Sequence, residues 1–192
     1  MIKRLIARFF FFVAGWKVRV PKDANFQRCV MLAAPHTTNW DYPIAQAACW
    51  ILGIKWRYFI KDSYTKNPLF GWFFRATGAI GVDRSKPKSG YKRGRLVEFA
   101  IKSFEENNEL VVLVPAEGTR KRVDKWKTGF YHIALGANVP IALGFMDFGK
   151  KETGVLDVFM PSGNFEQDMH HIQEMYRPIV PKYPENYNPE IY

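Results

Sequence analysis

The sequence predicts a single α/β domain with a largely parallel, mixed sheet flanked by helices. Three observations point there. Short apolar runs alternate with amphipathic stretches along most of the chain, the pattern of strands joined by helical crossovers. At 192 residues the chain has room for one domain, and two would be cramped. With 47% hydrophobic and 16% aromatic residues it can bury a real core.

The elements follow in order. Residues 9–16 form an apolar, mostly aromatic run beside Lys3, Arg4, Arg8 and Lys17. The run is too short to span a bilayer, which takes about 20 apolar residues, and no small-residue cleavage site follows it. A basic, aromatic segment over 1–27 suits a membrane interface. A first helix packed on the core is compatible with that. Residues 30–34 read as a buried strand and 43–53 as a helix closed by Gly53. A β-prone stretch at 55–60 precedes a short aromatic helix at 68–75 and a short strand at 79–82. Residues 90–107 carry Leu96, Val97, Ala100, Ile101 and Phe104 at helical spacing, which predicts an amphipathic helix. Residues 110–114 are a fully apolar strand. A helix at 129–137, strands at 139–146 and 155–160, and a helix at 165–177 follow. The main domain thus runs over 28–177, and 178–192, with four prolines, reads as an irregular wrap.

Charge narrows the partners. The formal net charge of +10 is uneven. Residues 1–28 hold seven Lys/Arg against Asp23, and 55–95 hold eleven against Asp62 and Asp83, whereas 152–192 hold two against seven acids. Polyanions suit the basic two-thirds: a membrane surface, a phosphorylated substrate or nucleic acid. No RNA- or DNA-binding signature accompanies the charge, so nucleic acid is not the expected partner. The two cysteines, Cys29 and Cys49, lie in apolar or amphipathic segments without a pairing framework, which predicts buried free thiols and a reducing compartment.

Chemistry concentrates in three clusters. The first is Pro35-His36-Thr37-Thr38-Asn39-Trp40-Asp41, directly after the strand at 30–34. On one ideal helix His36 and Asp41 would stand about 140° apart, so they meet only if the chain turns between them. His36 then sits in the turn and Asp41 at the mouth of the next helix, where Thr37, Thr38 and Asn39 suit a cap and Pro43 a first turn. A histidine oriented by a carboxylate can take a proton from a hydroxyl near neutral pH. The same spacing also fits a structural histidine beside an N-terminal aspartate. The second cluster is Gly78-Ala-Ile-Gly-Val-Asp83-Arg84, and the third Val114-Pro-Ala-Glu117-Gly118-Thr119-Arg120. Each puts an arginine, a planar fork of donors suited to phosphate, just past a strand. One such arginine alone is commonly a solvated charge. In a parallel sheet ligands sit beyond the carboxyl ends of the strands, where His36, Arg84 and Glu117 all fall. His132 reads as a packing residue of an apolar helix, and His170 and His171 as surface residues. No nucleophile elbow or Gly-rich phosphate loop of the nucleotide-binding kind occurs.

The clusters, in this order, resemble the glycerolipid acyltransferase family that includes the 1-acyl-glycerol-3-phosphate acyltransferases. The resemblance covers about residues 28–146. His36 and Asp41 match the family's His-x-x-x-x-Asp, Gly78 to Arg84 its glycine-led second block, Glu117 to Arg120 its Glu-Gly-Thr-Arg, and Val139-Pro140-Ile141 its apolar-flanked proline. Pro68-Leu-Phe-Gly-Trp and Lys127-Thr-Gly-Phe look like its connecting segments. The chain departs from the pattern where Ala116 separates Pro115 from Glu117.

The resemblance implies acyl transfer from an acyl thioester, carried by coenzyme A or acyl carrier protein, to the hydroxyl of a lysophospholipid. On that reading His36 is the general base and Asp41 fixes its tautomer. Arg84, Arg120, Glu117, Gly118 and Thr119 form the phosphate-binding group, with Glu117 orienting an arginine or touching the acceptor hydroxyl. Backbone amides near the first block are the default oxyanion donors. No metal or resident cofactor is expected, the thioester being a co-substrate. The place of action is the cytoplasmic face of the cell membrane, with peripheral attachment. Two alternatives remain at this stage: the same chemistry on another lyso-lipid, such as an amino-acid-derived one, or a non-catalytic basic module binding membranes or nucleic acid.

Overall fold

The structure, a computed structural model, describes residues 2–22, 24–82 and 95–192. The second cluster's Asp83 and Arg84 lie outside the described residues. Among the described residues the chain forms helix α1 (Ile2–Ala14), strands β1 (Lys17–Arg19) and β2 (Arg28–Ala34), helix α2 (Asp41–Leu52) and strand β3 (Trp56–Lys61). Short helices α3 (Asp62–Thr65) and α4 (Gly71–Ala76) lead to β4 (Ala79–Val82). Then come α5 (Arg95–Glu105), β5 (Leu110–Val114), α6 (Gly129–Ala137), β6 (Ile141–Asp147), β7 (Glu152–Phe159) and α7 (Phe165–Tyr176).

The strands form one sheet in the order β1-β7-β6-β2-β5-β3-β4. Every pairing is parallel except β6 with β7, which is antiparallel. The predicted largely parallel, mixed sheet is therefore what forms. β2 lies in the middle, buried on both faces, and its seven residues read Arg-Cys-Val-Met-Leu-Ala-Ala, the near-continuous apolar run that a covered parallel strand requires. Alternate residues serve opposite faces. Val30, Leu32 and Ala34 pack with Ala100, Phe104, Phe130 and Ile172 of α5, α6 and α7. Cys29 and Met31 pack with Cys49 and Trp56 on the α2 side. Burial pushes both thiols up to about 12, and both are free.

α2 starts at Asp41, whose negative charge suits a helix N-terminus, and stops at Gly53. There φ is +77° and the cap amide reaches back to the Cys49 carbonyl, the left-handed stop that glycine adopts without strain. α1 buries only Ala7 and Phe11, against Ile44, Ala47 and Ala48 of α2. Ile2, Leu5, Ile6, Phe9, Phe12 and Val13 stay exposed. No described helix is long and apolar enough to cross a membrane.

Several boundaries differ from the sequence reading. The strand expected at 139–146 begins at Ile141, because Pro140 has no N–H to give a ladder. The strand expected at 155–160 begins earlier, at Glu152. The helix expected from 68 begins at Gly71, since Asn67 Oδ1 first holds a turn by accepting the Leu69 and Phe70 amides at 2.9 and 3.0 Å. His132 is exposed and lies outside the core: it projects from α6 between the buried Tyr131 and Ile133, its ring edge-on to that of Tyr131. The stretch 178–192 is irregular apart from one 3-10 turn at Pro184–Asn186, yet Ile179, Tyr187 and Ile191 are buried in the larger core.

Candidate active site

The register sets the site. Leu32 of β2 pairs with Val114, the last residue of β5. The two chains leave the sheet side by side, one into the His36 loop and the other into the Glu117 loop.

In the first loop the chain turns as the spacing requires. His36 Nδ1 lies 3.0 Å from Asp41 Oδ2. The same oxygen accepts the Thr37 and Thr38 amides, each at 3.0 Å. A carboxylate accepts only, so Nδ1 carries the ring proton and Nε2 presents its lone pair. Three donors on one oxygen of a residue that is 2% exposed fix the carboxylate and therefore the ring. The imidazole side chain keeps 26% of its surface accessible, enough for a reactant to reach Nε2.

In the second loop Glu117 is buried, and its Oε2 accepts the His36 amide at 2.7 Å. Among the described residues it has no arginine partner, and it props the backbone of the histidine. Its other oxygen, Oε1, has no hydrogen-bond partner among the described residues. Burial pushes the Glu117 carboxyl up to about 7, against the pull of the His36 amide and ring. Gly118 has φ +68°, and a Cβ there would overlap the Lys127 amine, so the turn needs glycine. The extra residue of this block, Ala116, is fully buried, and its carbonyl accepts the Lys127 amide at 2.8 Å. Arg120 is exposed, and its Nη1 donates to Asn39 Oδ1 at 2.5 Å. Glu117 and Arg120 thus tie the two loops together twice.

Two cavities meet at His36. One, of 410 Å³, is lined by His36, Pro115, Gly118, Thr119, Arg120 and Lys121. The other, of 180 Å³, has His36, Asp41 and Pro115 at its rim and Ala33, Tyr42, Ala45, Trp56, Tyr58, Leu113 and Met146 as its walls. The first is basic and the second almost wholly apolar.

The sequence reading missed three features. Lys121 lines the basic cavity and Lys127 lies over its Gly118; both stand in the basic run after Arg120, which was the available signal. The Glu117 prop spans 81 positions, and no local pattern announces it. Nor do the first-block amides at 36–38 point at a reacting carbonyl. Those of His36, Thr37 and Thr38 are all taken, by Glu117 and Asp41. The expectation of oxyanion donors among backbone amides near the first block is thereby narrowed to amides other than these three. No cluster of metal-ligating side chains occurs among the described residues.

Comparisons with known proteins point to acyltransferases. The chain is 31% identical over 124 residues to the 1-acyl-sn-glycerol-3-phosphate acyltransferase of Streptococcus pneumoniae (strain ATCC BAA-255 / R6), covering 62% of this chain and 40% of that one. It is 30% identical over 136 residues to the enzyme of the same name from Escherichia coli (strain K12), covering 66% and 51%. The chain therefore spans about half the length of the curated relatives it matches. The crystal structure of the 1-acyl-sn-glycerophosphate (LPA) acyltransferase PlsC from Thermotoga maritima shares the fold. The TM-score is 0.58 at 17% identity, over 90% of this chain and 74% of that one. The family model described as Acyltransferase matches residues 17–142, a span that holds both loops and the strands that deliver them. On that match the chain belongs to the acyltransferase family.

Proposed function

We propose that the chain transfers a fatty acyl group from an acyl thioester to the free hydroxyl of 1-acyl-glycerol-3-phosphate, giving phosphatidate. One observation carries this reading. His36, whose Nδ1 is held by Asp41, lines both a basic cavity and an apolar cavity. A reaction joining an anionic head group to a hydrocarbon chain needs that junction.

The acceptor lies in the basic cavity, its phosphate against Arg120 and the Thr119 turn. Arg84 joins them on the strength of the family resemblance. The acyl chain lies among Tyr42, Trp56, Tyr58 and Leu113. His36 Nε2 takes the hydroxyl proton as that oxygen bonds to the thioester carbonyl. Asp41 stabilises the imidazolium that forms. When the tetrahedral intermediate collapses, the carbon–sulfur bond breaks and the imidazolium returns its proton to the leaving thiolate. No serine intermediate is required, and the residues need no metal for these steps.

The donor is acyl-CoA or acyl carrier protein; both present phosphate to a basic surface. The exposed face of α1, with Lys3, Arg4 and Arg8 on the same helix, supports peripheral attachment to the cytoplasmic face of an anionic membrane.

The test is an assay of the purified chain with acyl-CoA and lysophosphatidate, for wild type and His36→Ala. Phosphatidate formed by wild type alone supports the reading. Equal turnover by the variant removes His36 as base, and transfer only to other lyso-lipids removes the phosphate acceptor.

A further inference from the structure

The segment after residue 178 lies beyond the span of the family match, yet it touches both loops of the site. The Tyr183 amide donates to Thr37 Oγ1 at 3.4 Å, next to His36. The Lys182 amine stands 5.5 Å from the ring of Trp40. On the other side, Arg122 Nη1 donates to the Tyr187 carbonyl at 2.8 Å, and Asn188 Nδ2 to the Asp124 carbonyl at 3.0 Å. The Trp126 amide donates to the Ile191 carbonyl at 2.8 Å. Five such contacts bind an otherwise irregular stretch to the chain on either side of the Glu117–His36 link.

Inside this seam the Tyr187 ring is buried. Its hydroxyl and Glu117 Oε1 are both buried polar atoms without a hydrogen-bond partner among the described residues. Burial, and after it the Glu117 charge, pushes the phenol well up. Two buried, electrostatically coupled orphans on one site are uncommon in a folded protein. The two atoms make no hydrogen bond to each other, and one ordered water between a phenol donor and a carboxylate acceptor would satisfy both.

We propose that residues 183–191 are a positioning strap for the active site, in which the Tyr187 hydroxyl steadies Glu117 and, through it, the His36 backbone. This rests on His36 being the base. The strap touches no reactant. It sets where the imidazole stands, and so acts on turnover and not on the capture of substrate.

The test is Tyr187→Phe, which keeps the ring and removes one oxygen. Expected is a kcat about five- to tenfold lower, with the thioester KM within about twofold and the melting temperature little changed. In a Glu117→Gln background the same change should cost little further, because the partner it supports is gone. Equal fold-losses in both backgrounds, or no loss in the wild-type background, overturn the proposal. Hydrogen exchange of the His36 amide gives a reading without substrate: exchange should quicken in Tyr187→Phe, and an unchanged rate overturns the strap. If wild type acylates no lyso-lipid at all, the functional reading fails, while the exchange comparison still decides this one.

Discussion

Among the described residues there are two histidine–aspartate pairs, and only one of them borders the candidate site. His171 Nε2 lies 2.8 Å from Asp157 Oδ2, a shorter contact than that between His36 and Asp41. Yet the His171 side chain is 43% exposed and its aspartate 34%, where water competes and salt screens. The ring leans edge-on against Phe159, 4.9 Å away, and lines neither of the cavities beside His36. Asp41 is 3% exposed on its side chain and holds two backbone amides besides the ring. What separates the proposed base from a surface ion pair is therefore not the closeness of the pair. It is a carboxylate buried and held by three donors, and an imidazole that lines two cavities.

The contrast can be broken by mutation. The largest effect belongs to His36→Ala, which should lower kcat on the order of 10³-fold, whereas His171→Ala should stay within about twofold, as a surface change does. Steady-state acyl transfer measures both. Asp41→Asn follows, with a loss on the order of 10³-fold through the wrong tautomer; Asp157→Asn should cost nothing measurable in the same assay. Arg120→Ala tests the basic cavity that only the first pair adjoins. It should raise the acceptor KM about 10- to 100-fold, the worth of a charge-assisted hydrogen bond, and leave the thioester KM alone.

The smallest effect concerns Glu117, the prop that the second pair lacks. Its carboxyl is raised by burial to about 7, above an unfolded value near 4.3. The folded state then holds a proton that the unfolded state has lost. Stability from this group is complete below about pH 4.3 and is lost as pH rises through about 7. Denaturant melts at pH 6 and pH 8 should show wild type losing about 1 kcal/mol relative to Glu117→Gln across that interval.

Much of the fold was legible because it is local. The apolar run at 110–114 and the short strand at 79–82 form with the predicted bounds, as does the helix at 129–137. Each has a uniform pattern with glycine, proline or asparagine at its edge. β1 was not legible. Its three residues, Lys17, Val18 and Arg19, have no strand pattern of their own and are recruited by parallel pairing with β7. The meeting of His36 with Asp41 could be read from five positions of sequence. The support beneath it could not, because Glu117 and Tyr187 arrive from far along the chain and nothing near them in sequence marks their destination. His132 misled because an apolar helix suggests packing all round, whereas α6 leaves one side open.

The two cysteines bear on how such chemistry would be watched. Transfer from a thioester releases one carrier sulfhydryl per turnover. Cys29 and Cys49, sealed under the sheet and raised to about 12, offer almost no thiolate at neutral pH. A chromogenic disulfide reagent in the assay should count product alone, with the folded protein contributing no background colour until it is denatured.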